Sequence, residues 1–310
     1  MGSSFTMSRP SYMPKYVPRT YKTLADTGID TDEALDNVET GVDCDADATT
    51  AIPVGSLIRI EDEYMRVTAT GTTLTVERPY PAAHLTNIDI YIVNKPACVL
   101  YLEGQQDPQS ATIRDLSGYN NHGTITGATW VRLPSGLWVQ SFDGTDDEVT
   151  GSFSPCSGLS AFWVGLWFKF TATIIDMTMY SEKIAGGATM LQLYASGGVA
   201  GKPIFWYSDN DSPTILIEPG INFNDGKWHF YEGARRATNS WEMLVDGVSR
   251  GTSSGNSGTL ATNRTAIGRK AETAGTFFAG DVGIVRAINR NVPAAEGNQI
   301  RLQERHLFGV

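Results

Sequence analysis

The run AFWVGLWFKFT at residues 161–171 restricts the fold more tightly than any other segment of the chain. As an extended strand it places Phe162, Val164, Leu166, Phe168 and Phe170 on one face, and Trp163, Gly165, Trp167 and Lys169 on the other. Large apolar groups on both faces need cover on both faces. A strand of this kind sits in the middle of a sheet packed against a second layer, which predicts a sandwich. From Cys98 to about Ile288, further strand-like runs alternate with Gly, Asn, Asp and Ser turns, and 32 glycines without collagen periodicity fit an all-β chain.

Three parts are expected along the chain. Residues 1–22 interleave Pro10, Pro14 and Pro18 with Tyr12, Tyr16 and Tyr21, which blocks helix and predicts an extended arm. Such an arm is either a disordered terminus, the commoner case, or one that orders against a neighbouring subunit, and the second reading leads to the expectation of a homo-oligomer, a trimer first. Residues 23–95 predict a small β module. Its acidic stretch, residues 26–47, reads as helix or loop. Leu57, Ile58, Ile60, Met65, Val67, Leu74, Val76, Ile88, Ile90 and Ile92 then alternate as a small curled sheet, with TGTT as a hairpin turn. Lys95, Pro96 and Ala97 link it to a sandwich over 96–310, which ends in a short helix with Pro293 in its first turn and Ile300, Leu302 and Leu307 as packing residues. Gly297 weakens that helix.

With 34 acidic against 24 basic residues, the formal net charge of −10 argues against a protein that neutralises a nucleic-acid backbone. Cys44, Cys98 and Cys156 have no CxxC spacing and are odd in number, so reduced, mostly buried thiols and assembly in a reducing cytoplasm are expected. No segment has the uninterrupted apolar length of a secretory signal core or a membrane span, so no membrane insertion is expected.

Two resemblances sharpen this reading. The run from Ile60 to His84, with Glu63, Met65, Val67, Leu74, Thr75, Val76, Arg78 and His84 in pattern and Pro79 where glycine is usual, resembles a short β module that recurs in phage tail and head-associated proteins. In the second part, Asp115, Ser117, Gly118, Asn121, Gly123 and Gly127, then Phe142, Asp143, Gly144, Asp146 and Val149, then Trp228, His229, Val245, Asp246 and Gly247, then RTAIGRK and FFAGDVGIVRAINRNVPAAE follow one another in order. Together they resemble the laminin-G-like branch of the concanavalin A-like lectin jelly rolls. The resemblances imply a phage virion protein, anchored among capsid or tail proteins by the module. Its lectin-like sandwich would be displayed for host-surface glycan attachment as a tail or fibre adhesin or head decoration. A pure cement protein without glycan binding is the alternative, and a polysaccharide-degrading enzyme a weaker one.

The chemistry of the residues points to binding rather than turnover. Glycosidases need two carboxylates flanking the scissile bond, and the E-x-D-x-x-E strand that enzymes of this fold use is missing. The four histidines show neither HxH nor HExxH spacing and stand apart from any nucleophile turn. No cofactor is required. The resemblance implies a possible calcium site at Asp115, with Asp281 in place of the family's later aspartate, because hard cations take carboxylate and carbonyl oxygens. For a glycan, IFWYSDNDS offers Trp206, Tyr207, Asp209 and Asn210, although a Trp in an alternating strand is more often core than platform.

Overall fold

A computed structural model describes residues 24–52, 56–61, 63–78, 81–93, 98–104, 110–117, 119–173, 176–187, 189–195, 201–209, 215–255, 258–271 and 275–310. The expected N-terminal arm lies outside these residues. The chain divides into two compact units, with the boundary between Pro96 and Ala97.

In the first unit β1 (Leu24–Asp30), β2 (Gly41–Asp43), β3 (Leu57–Ile60), β4 (Glu63–Ala69), β5 (Thr73–Glu77) and β6 (Asp89–Val93) form one antiparallel sheet, ordered β1-β6-β3-β4-β5-β2. Its outer strands meet at their ends. Asp32 N donates to Asp43 O at 2.9 Å and Asp45 N donates to Asp30 O at 3.0 Å, so the sheet curls into a small barrel. Ile58, Ile60, Met65, Val67, Leu74, Val76 and Ile90 fill its interior. The acidic stretch expected as helix or loop instead supplies β1 and β2. Its inward residues Ile29 and Val42 are too few, and interrupted by a register shift between Asp26 and Asp30, to print an alternating pattern among the aspartates.

The polar members of the module motif close one end of this barrel. Glu63 Oε1 accepts from Arg78 Nε at 3.0 Å, and Glu63 Oε2 is bonded to Arg78, to Ala82 N at 3.0 Å and to His84 Nε2 at 2.8 Å. Arg78 also donates to the carbonyls of Asp36 and Glu39. One buried carboxylate thus pins two loops to the sheet. Burial opposes its ionisation, but the Arg78, Ala82 and His84 bonds outweigh burial and hold Glu63 down at about 2.

The second unit is a two-sheet sandwich with all its strand pairs antiparallel. Its strands are β7 (Cys98–Leu102), β8 (Thr112–Ile113), β9 (Gly123–Thr126), β10 (Thr129–Arg132), β11 (Trp138–Asp143), β12 (Glu148–Gly151), β13 (Phe162–Lys169), β14 (Met177–Lys183), β15 (Met190–Ala195), β16 (Pro203–Ser208), β17 (Ile215–Ile217), β18 (His229–Ala237), β19 (Ser240–Val245), β20 (Val248–Ser254), β21 (Arg264–Ile267) and β22 (Ala279–Ile288). The front sheet runs β10-β11-β22-β13-β18-β19-β20, with β7 also on β22, and the back sheet runs β17-β16-β15-β14-β21-β12-β9-β8. As the alternation requires, β13 is central. Its Phe162, Val164, Leu166 and Phe168 enter the inter-sheet core with Leu191, Leu193, Phe205 and Tyr231.

Its other face meets a helix rather than a third sheet. Trp163 and Trp167 pack with Phe230, Ile300, Leu307 and Phe308, and the Trp167 and Phe308 rings stack at 4.4 Å. Each side chain buried in this way contributes about 1.5–3 kcal/mol. The helix α1 (Ala294–Phe308) begins after Pro293 and ends at Gly309 in the left-handed conformation, φ 73°. Leu302, expected to pack, is 45% exposed, because Ile300, Leu307 and Phe308 already cover the tryptophans. Gly297 is a contact rather than a weakness: an added Cβ would collide with Glu232 Oε2 of β18. The expected Asp-Gly hairpin is present, with Asp246 at φ 56° and Gly247 at φ 75° joining β19 to β20.

Candidate functional site

In β16 strict alternation decides which residues face outward. Phe205 and Tyr207 point into the inter-sheet core, so Trp206 and Ser208 point away from it. Cross-strand register then aligns Leu216, Trp206, Gln192, Ser181, Ala266 and Thr150 in one row across the outer face of the back sheet. The segment after β21 folds over part of this row. Ser181 Oγ donates to Arg269 O at 3.0 Å and accepts from Ala271 N at 2.7 Å, while Thr178 N donates to Thr276 O at 2.9 Å. Under this cover Gln192 is buried and bonds Thr178 Oγ1.

Trp206 stands at the border of that cover and is half-buried. The Tyr194 ring lies 6.2 Å from its ring, Lys270 Nζ sits 5.8 Å above it, and Leu216 next to it is 54% exposed. Its indole Nε1 has no hydrogen-bond partner among the described residues. Lys270 thus lies over the indole in a cation–π contact, and a sugar ring stacking on Trp206 takes the ring area that Lys270 and Tyr194 leave open.

The other residues singled out with Trp206 do not join it. Tyr207 is fully buried, its ring 4.2 Å from that of Trp241 and its hydroxyl donating to Gly258 O at 3.0 Å, because it occupies the inward phase of β16. Asp209 shares that inward phase and is buried. Asn210 lies outside the described residues. Sequence reading missed Tyr194, Lys270 and Leu216, which come from three different segments. Only the pairing of β15, β16 and β17 and the fold of the β21–β22 connection bring them to Trp206.

Nor does the structure form the expected calcium pair. Asp115 accepts from Tyr101 N, Ser117 N, Ser117 Oγ and Asn121 N at 2.7–3.0 Å, so its oxygens are engaged in ordering the loop that follows it. Asp281 is paired with Lys169 at 2.7 Å. Asp115 bridges Leu102, whose partner Val285 stands four residues from Asp281, about 13 Å along β22. These two residues do not fit one cation. The carboxylates that approach one another are Asp143, Asp146 and Asp147 in the β11–β12 turn, with ligand atoms within 4.8 Å. There Asp147 accepts from Asp143 N at 2.8 Å, and burial pushes its carboxyl up.

The deeply buried carboxylates serve the framework. Glu182 accepts from Cys156 N, Tyr180 OH and Thr262 Oγ1, Glu232 accepts from Trp163 Nε1 at 3.0 Å, and Glu304 accepts from Trp167 Nε1 at 2.8 Å beside Arg286. His229 is bracketed by Asp246 at 2.7 Å and Asp225 at 3.0 Å, which ties the start of β18 to the hairpin. Among the described residues no helix is long and apolar enough to cross a membrane.

Comparison with known proteins agrees with this geometry. Residues 142–296, half of the chain, match the family model described as the concanavalin A-like lectin/glucanases superfamily. No curated protein matches the sequence. Among solved structures, the binding domain of paraclostridial mosquitocidal protein 1 superposes with a TM-score of 0.53 at 13% identity, covering 67% of this chain and 52% of that one. Domain 4 of AbnA, a GH43 extracellular arabinanase from Geobacillus stearothermophilus in complex with arabinotriose, gives 0.52 at 15% identity, with 66% and 97% covered. The receptor binding domain of botulinum neurotoxin D gives 0.52 at 10% identity, with 68% and 53% covered. This chain thus spans about half the length of the two toxin domains.

Proposed function

From the premise that this chain belongs to the concanavalin A-like lectin/glucanase superfamily, we propose that its sandwich is a non-catalytic glycan-recognition domain, displayed on a phage particle by the small barrel. The observation that carries the glycan reading is Trp206. It is the large aromatic of β16 that the strand turns outward, at the margin of a covered sheet face and beside Lys270. The toxin and arabinanase domains of similar fold are named as binding domains or crystallised with a saccharide, which supports recognition rather than turnover. The engagement of Glu182, Glu232 and Glu304 with structural partners supports it too.

A glycan array probed with the wild-type protein and with Trp206→Ala tests this reading. Trp206→Ala should abolish binding and leave the melting temperature nearly unchanged. An array on which the folded wild-type protein stays silent would overturn it and leave the sandwich a spacer or cement.

The virion role rests on the module. Its Glu63–Arg78–His84 staple fixes two loops side by side, joined by the Leu35–His84 bridge, and these loops hold Val38 and Leu85 outward at 76% and 72% exposure. Rigid loops bearing aliphatic groups suit attachment to capsid or tail proteins, with the Tyr-rich arm reaching a second copy of the chain. Cryo-microscopy of intact particles, together with sedimentation of the isolated chain for the trimer, checks both. Particles without the chain would refute the virion role.

A further inference from the structure

α1 covers the outer face of the front sheet and takes no part in its strand pairing. It can therefore lift without breaking a ladder hydrogen bond. Its apolar ties are Ile300, Leu307 and Phe308, packed with Trp163 and Trp167. Its polar ties include Glu304 to Trp167 Nε1 and to Arg286, and Ser135 Oγ donating to Leu307 O. Asn298 and Arg301 abut the hairpin at Gly247, where Asp246 is bonded to His229. Beside Trp228, which packs on Phe308, Lys169 is paired with Asp281. The charges at these two margins are thus matched.

The charges directly beneath the helix are not. Glu103, Glu232 and Glu304 lie there at 4%, 0% and 3% exposure, and Arg286, at 2%, is the buried cation among them. Arg286 pairs with Glu304 and stands 4.4 Å over the Tyr101 ring. Glu103 has the Tyr101 hydroxyl at 3.0 Å, while Glu232 accepts from Trp163 Nε1 and leaves Oε1 without a hydrogen-bond partner. The other charged groups that act on these three carboxyls are Arg236, Arg301, Glu242 and His306. Of these, Arg236 is paired with Glu242 and Arg301 bonds Asn298. Burial keeps the Tyr101 hydroxyl and the Cys98 thiol protonated. A buried carboxylate without a cation is strongly disfavoured, so the seat balances only while two of its three carboxyls hold a proton. We propose that α1 is a pH-sensitive strap, clamped over the Trp163 and Trp167 face in mild acid and increasingly opened above neutral pH, where lifting it returns the carboxyls to water while the strands stay paired. Burial raises the carboxyls of Glu103 and Glu304, and that of Glu232 to about 7, in the same sense. Protons held only in the seated state favour that state at low pH, and the preference is lost as the pH passes the raised values. Gly297 lies against Glu232 Oε2, so lifting the helix uncovers that carboxyl first.

Hydrogen exchange of the full chain at pH 5 and pH 8.5, corrected for the intrinsic rate of each amide, tests the strap. The amides of residues 294–308 should be less protected than those of β13 and β18 at both values, because the helix opens without the strands. Their protection should fall at least about tenfold from pH 5 to pH 8.5, which is one pKa unit of linkage. Glu232→Gln and, separately, Glu103→Gln should each restore part of the protection at pH 8.5 and leave that at pH 5 unchanged. Should either variant fold poorly, the wild-type comparison decides alone. Equal protection of helix and strands at both values would show that α1 opens only with the whole sandwich and would overturn the strap. Helix protection that does not change with pH would overturn it too. A fall of the same size in wild type and in both folded variants would assign the effect to groups other than these carboxyls, which also defeats the proposal.

Discussion

Glu232→Gln should flatten part of the pH dependence of the sandwich. Glu232 lies fully buried between β18 and α1, its Oε2 accepting from Trp163 Nε1 at 3.0 Å and lying against Gly297, its Oε1 without a hydrogen-bond partner among the described residues. Burial pushes its carboxyl from 4.5 up to about 7, against the smaller opposing pulls of Trp163 and Arg236. A carboxyl raised on folding keeps its proton where the unfolded chain has lost it. Its stabilising contribution is therefore complete below about pH 4.5, declines through the interval, and is gone once the pH passes about 7. At 1.36 kcal/mol per pKa unit, the loss is about 3 kcal/mol. Glutamine keeps an acceptor for Trp163 and carries no charge. Urea denaturation followed by tryptophan fluorescence should show the variant near wild type at pH 5 and about 3 kcal/mol more stable than wild type at pH 8. His229, raised above its ordinary value because the Asp246 and Asp225 bonds outweigh its burial, affects both proteins alike and cancels in the difference. Parallel pH profiles for the two proteins would refute the assignment of a protonated Glu232 beneath the helix.

Gly297→Ala should destabilise the sandwich by about 1–3 kcal/mol, because overpacking against Glu232 outweighs the helix-propensity gain of about 1 kcal/mol; a rise in melting temperature would contradict that contact. Glu63→Gln should cost the barrel about 3–5 kcal/mol by leaving Arg78 buried without its carboxylate, seen as early loss of protection in hydrogen exchange over residues 63–78 and 81–93. In the wild-type barrel the Glu63 contribution, from a carboxyl lowered from 4.5 to about 2, is present above pH 4.5 and lost as the pH falls through about 2; acid titration by circular dichroism should place barrel unfolding in that interval.

The features legible in the sequence were those carried by local alternation. β13 reports both of its faces within eleven residues, and Asp246-Gly247 states its own turn. The illegible ones depend on partners far along the chain. Trp206 and Tyr207 are adjacent aromatic residues that sequence alone treats alike. The phase of β16 sends one outward and the other onto Trp241, and that phase is set by pairing with β15 and β17. Asp115 fits a calcium pattern in spelling, yet its oxygens are taken by four donors from its own loop and from β7. Gly297 carries a helix-propensity cost in isolation and makes room for Glu232 in the fold. Glu63, Arg78 and His84 form a pattern in the sequence, and the structure supplies its physical reason: a buried hydrogen-bonded cluster that closes one end of the barrel.

The net charge of −10 is an average over two dissimilar units, and this changes what it excludes. Fourteen of the 34 acidic residues but only three of the 24 basic ones fall between residues 24 and 93, so the negative charge is concentrated in the barrel. There Asp30 meets Asp89, Asp45 and Asp26, and its carboxyl is raised by desolvation and by those neighbours. Exposed charges are screened within about 8 Å at physiological salt, so each surface of the sandwich responds to its own neighbouring charges rather than to the total. The total charge therefore does not describe the surface of the sandwich. A duplex presents a phosphate charge every 1.7 Å or so and calls for a continuous basic track, whereas on the back sheet and its connections Arg269 is paired with Glu148 and Lys202 with Glu218.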